Sequence, residues 1–148
     1  MYEALLALHN VLRWLVVATA LWAVVRAISG WMSAQPWTST DRTTGNAFVI
    51  AITVQFVLGL LLYGLSPVTT SAFGDMGAAM AQRDIRFFVV EHLVYMLLAV
   101  AAAHIGRARA TRAADDRGRY RTAAIFYGVS LVLVLVGIPW WRPLLRGM

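Results

Sequence analysis

Residues 4–28 read ALLALHNVLRWLVVATALWAVVRAI, a run whose charged members are Arg13 and Arg26 alone. A helix rising about 1.5 Å per residue crosses roughly 30 Å of hydrocarbon in ~20 residues, so this run is long enough to span a bilayer. Three further runs share its character, at 47–65, 87–105 and 122–138. The last is short, but Pro139-Trp140-Trp141-Arg142 closes it with a helix breaker, an aromatic pair suited to the headgroup level and a charge. The pattern predicts an all-α integral membrane protein: one domain over 1–148, with four transmembrane helices in an up-down bundle.

Composition agrees. Of 148 residues, 60% are hydrophobic and 14% charged, where an average soluble domain has roughly 45–50% and about 25%. The absence of cysteine excludes disulfides, thiolate metal sites, iron–sulfur clusters and covalent c-type haem attachment. All 13 basic residues are arginine and the net charge is +6. Six of them lie between Arg107 and Arg121, so membrane topology explains them better than nucleic acid, and no nucleic-acid partner is expected.

The connectors have their own signals. Ser33 to Asn46 is polar, with an entry to the second helix expected around Thr44-Gly45-Asn46. Leu65-Ser66-Pro67 stops that helix, and Met76 to Gln82 is expected as a short interfacial helix. Arg107 to Arg121 suits a short turn or helical hairpin in the headgroup region. Arg26, Arg42 and the six connector arginines lie on one side, against Arg83, Arg86, Arg142 and Arg146 on the other. That bias places both termini on the outer, periplasmic side of a bacterial inner membrane. The start Met1-Tyr2-Glu3 has no basic side chain, which argues against a signal peptide's basic n-region.

Polar residues at membrane depth are functional candidates by default. Counting back from Arg26 and Arg107 puts His9 about 4 Å, Arg13 about 10 Å, Glu91 about 6 Å and His92 about 7 Å below the outer boundary. For Arg13 the alternatives are snorkelling to the headgroups and an interhelical ion pair with Glu91, which is preferred because arginine cannot shed its proton. For His9 and His92 they are hydrogen-bonded polar groups and axial ligands of a haem b, the metal bound only through the haem iron. Propionates would then meet Arg86, Arg83 or Arg13. His104, about 18 Å along the helix from His92, has no histidine at its depth and reads as an interfacial polar group. Gly59, Gly64 and Gly128 suit close helix approach, and Ser130 suits a bond across helices.

Leu8-His9, Leu12-Arg13-Trp14, Gly30-Trp31, Gln55 with Gly59, Tyr63, Ser66 and Pro67, Arg86-Phe87, Glu91-His92, Ile105-Gly106 and Ile138-Pro139-Trp140 follow one another along nearly the whole chain. In this order the chain resembles small bacterial four-helix membrane proteins labelled cytochrome b-like. The resemblance implies haem iron held by histidines on different helices, carried onto His9 and His92. The related pattern has a histidine two positions before the glutamine of the second helix, where this chain has Thr53. Two functions are expected: a small subunit carrying electrons through haem b, within or beside a respiratory or photosynthetic complex, or a haem-free accessory subunit of such a complex. The partners are membrane lipids and other membrane-protein subunits. A carrier would need polar groups right across the bilayer, and only Thr53 and Gln55 occupy its middle.

Overall fold

The computed structural model describes residues 1–142. They form α1 (Tyr2–Met32), α2 (Ser39–Leu65), α3 (Pro67–Gly74), α4 (Met76–Ala81), α5 (Arg83–Arg112) and α6 (Asp116–Gly137). Four of these, α1, α2, α5 and α6, are long and apolar enough to cross a membrane. Arg146, counted in the arginine bias, and the C-terminus lie outside the described residues.

The helices start and stop where local chemistry dictates, and all four long ones exceed the apolar runs. Helix α2 begins at Ser39 rather than near residue 47, because Asp41 closes a capping box with Thr38: its Oδ2 accepts from the Thr38 backbone N–H at 2.9 Å and hydroxyl at 2.7 Å. Ser66 caps α3, accepting from Val68 N–H at 3.2 Å, with Pro67 in the first turn where its missing N–H costs nothing. Asp75 caps α4 through Ala78 N–H at 2.9 Å. The arginine-rich connector is a helical hairpin: α5 runs to Arg112, and α6 resumes at Asp116 under the Asp115 cap, which accepts from Gly118 N–H at 2.7 Å.

Contacts at the two ends show that consecutive long helices run antiparallel. Tyr2 of α1 reaches Ser66 after α2, and His92 near the start of α5 meets Gly137 at the end of α6. At the far end Arg26 of α1 binds Asp41 of α2 at 2.6 Å, and Tyr120 of α6 donates to the same carboxylate at 2.8 Å. Helix α1 packs on α2 and α6, and α5 packs on α6 and more lightly on α2, so α1 and α5 face each other across the diagonal.

Small residues line the inside: Ala20, Ala23, Ala27, Ala99, Ala103 and Ala123 are buried, while Leu15, Trp22, Val54, Leu97 and Val132 point outward. Such an arrangement lets helices approach closely where lipid would surround large side chains. Close approach falls at Gly30, Gly45, Gly106 and Gly137, where an added Cβ would collide with Tyr120, Tyr127, Phe126 and Met96 respectively. Gly64 and Gly128, expected in that role, have nothing within 4 Å among the described residues, whereas Gly59 faces His9. Ser130 does bridge helices, donating to Ala99 O at 2.7 Å.

Candidate functional site

Helices α1, α2, α5 and α6 enclose a cavity of about 190 Å³ at the end of the bundle that holds Tyr2 and Ser66. Its α1 wall runs from Tyr2 to Val16, about 20 Å at the helical rise. Apolar side chains such as Leu6, Ile52, Phe56, Met96 and Val134 make most of the lining. Leu60, also in the lining, is 45% exposed, so the cavity opens outward beside α2.

His9 and His92 enter this cavity from the diagonal helices, their ring centroids 6.4 Å apart and their planes at 69°. One metal ion between two imidazoles requires about 6 Å, from two bonds of ~2 Å and the distance from each ligating nitrogen to its ring centre. The His92 Nδ1 lies 2.8 Å from the carbonyl oxygen of Gly137. A carbonyl only accepts, so Nδ1 carries the proton and the Nε2 lone pair is left for a ligand.

Local structure sets each ring. The five residues before His92, Phe87–Glu91, form a π turn, closed by the His92 backbone N–H on Phe87 O. Single π turns inside α-helices occur often at functional sites, where they re-aim the following side chain. Tyr63 of α2 supports this turn by donating its hydroxyl to Val89 O at 2.9 Å. His9 is set from α2 as well: Gln55 Nε2 donates to the His9 backbone oxygen at 2.9 Å, and Gly59 leaves room for the ring.

The charged residues arrange themselves differently from the sequence expectation. Glu91 pairs with Arg86, not with Arg13, at 2.8 Å. The two are five apart, a spacing that i→i+5 bonding in the π turn brings together, while α1 and α5 are separated by the bundle diagonal. Arg13 is buried in the cavity wall, 3.4 Å from Asn10 Oδ1 and against the Trp14 ring. Arg86, expected at a propionate, is engaged by Glu91 and by Met80 O, and Arg83 lies over Trp141. Arg142 also lines the cavity, stacked 4.4 Å from Phe88 and 3.8 Å from Asp84. Sequence reading passed over it because the charge after Pro139 looked like a helix-end anchor.

His104 stays apart from this cluster. Its Nε2 lies 2.9 Å from the Thr53 hydroxyl on α2. Among the described residues, no group of three or more histidine, cysteine, aspartate or glutamate side chains stands ready to hold a metal ion. His9 and His92 could supply two ligands, a number that suits a metal whose remaining positions come from a macrocycle. Compared with known proteins, the chain matches no family model, no curated protein and no solved structure.

Proposed function

We propose that the chain is a multi-pass protein of the bacterial inner membrane that binds one haem b between His9 and His92 and carries electrons for a larger membrane complex. The observation that carries this reading is the 6.4 Å separation of two imidazoles that line one largely apolar cavity from different helices, one already oriented by the Gly137 carbonyl. Iron in haem supplies a centre that gains and loses one electron reversibly.

The chain's own residues do the rest. His92 is locked by Gly137 O and aimed by the π turn, and His9 is aimed by Gly59 and Gln55. Arg142 and Arg13 in the cavity lining supply positive charge for carboxylate substituents. The mostly apolar walls keep bulk water from the site. Four long apolar helices support membrane insertion, and the arginine hairpin supports a cytoplasmic position for residues 107–121 with the haem end outside.

The test is purification from haem-replete cells in mild detergent, followed by a visible spectrum. Wild-type protein should show the sharp reduced α-band of low-spin haem b. His9→Ala and His92→Ala should each abolish it, and His104→Ala should leave it intact. A colourless, folded wild type that copurifies with partner subunits would favour the haem-free accessory role.

A further inference from the structure

Two buried polar atoms in the cavity wall, His9 Nδ1 and Gln55 Oε1, have no hydrogen-bond partner among the described residues. They belong to neighbouring side chains. The Gln55 amide is fixed in sense, because its Nε2 already donates to the His9 backbone oxygen, which leaves Oε1 as an unused acceptor on a residue only 7% exposed. Gly59 lies one turn further along the same face of α2. A Cβ built there would stand 3.3 Å from His9 Cε1 and 4.0 Å from Nδ1, so this edge of the ring faces α2 one turn from Gln55.

We propose that Gln55 is the positioning residue of His9, its Oε1 accepting the Nδ1 proton through one cavity water, so that Nε2 is the nitrogen offered toward His92. The proposal rests on the haem reading only for its effect on the iron. Donor and acceptor are complementary: a neutral imidazole protonated at Nδ1 needs an acceptor there, and the amide oxygen needs a donor. The cavity is polar enough at this point, and large enough, to hold one bridging water. The arrangement repeats on the opposite ring, where Gly137 O takes the Nδ1 proton of His92. Both ligands would then share one tautomer, each buttressed from a neighbouring helix, as outer-shell partners of metal-bound histidines do.

His104 is the internal contrast. The single hydroxyl proton of Thr53 goes to Val49 O at 2.6 Å, so that oxygen accepts from His104 Nε2–H, and this ring is protonated at Nε2 rather than at Nδ1.

Nitrogen-15 NMR of protein labelled only in histidine, prepared without haem, reads the tautomers directly. The expected result is Nδ1–H at His9 and His92, with Nε2–H at His104. In Gln55→Leu the His9 resonances alone should lose this preference. In haem-loaded protein the same substitution should weaken haem retention about tenfold, as loss of an outer-shell partner does. It should also raise the midpoint potential, because an acceptor at Nδ1 makes the ligand a better donor to ferric iron. An Nε2–H tautomer at wild-type His9, or an unchanged potential and retention in Gln55→Leu, would overturn the role of Gln55. A wild type that binds no haem would overturn the haem reading, and the tautomer of His9 would still decide the role of Gln55. Should Gln55→Leu fail to fold, the wild-type tautomer decides it alone.

Discussion

Asp41 shows how one residue organises the end of the bundle away from the histidines. Its side chain closes the α2 cap with Thr38, pairs with Arg26 of α1 and accepts from Tyr120 of α6, and the residue is 4% exposed. The Tyr120 hydroxyl, sharing its one proton, also lies 3.1 Å from Pro36 O, and the ring packs edge-on against Trp37 at 4.7 Å, so three helices and a connector converge on one carboxylate. Removing a hub of this kind leaves Arg26, Thr38 and Tyr120 unmatched together. Asp41→Ala should therefore lower stability by about 3 kcal/mol, measured as the unfolding midpoint in detergent. Arg26→Leu should cost less, because that side chain is 34% exposed and Thr38 and Tyr120 remain on the carboxylate. Equal losses would contradict the ranking. The hub was hidden in the sequence: Thr38-Ser39-Thr40-Asp41 has capping-box spacing, but the polar stretch around it read as a connector. Depth counting brought His9 and His92 together because the rise per residue fixes height. It could not pair the charges, since azimuth depends on the π turn and on which helices are diagonal.

At the scale of the elements, glycine position separates helix contact from helix surface. A Cβ at Gly30 would run into the Tyr120 ring, which is held by Asp41, Pro36 and Trp37 and cannot yield. At Gly128 a Cβ meets nothing within 4 Å. Gly30→Ala should separate α1 from α6 and cost about 1–3 kcal/mol. Gly128→Ala should be neutral or should stabilise α6 by roughly 0.5–1 kcal/mol through helix propensity. Melting curves of the two variants in the same detergent compare them, and an ordering the other way round would contradict the packing. The four long helices were legible because their apolar runs exceed the length a bilayer needs. Their inner faces were not: they are apolar on nearly every side, so periodicity does not mark the core, and small residues inward with large ones outward emerges only from the assembled bundle. The short α3 was also missed, since Ser66-Pro67 signals a helix stop and a helix start equally.

Across the whole molecule the two ends differ in chemistry. One holds the hairpin of α5 and α6 with its arginines, of which Arg119 pairs with Asp116 and Arg107 with Asn46. The other holds the cavity, the histidines and the ion pair of Arg86 with Glu91. If that asymmetry sets insertion, reporter fusions after Asp116 should be active only in the cytoplasm and fusions after Asp75 only outside. The opposite pattern would reverse the proposed topology. The central claim, that two imidazoles on diagonal helices hold one haem iron, is tested most directly by electron paramagnetic resonance of the oxidised wild-type protein. Rings set at 69° cannot both align with the same iron orbital, so the account predicts a single, strongly anisotropic low-spin ferric signal accompanying one haem per chain. A high-spin ferric signal, or folded protein from haem-replete cells with no haem signal, would contradict it.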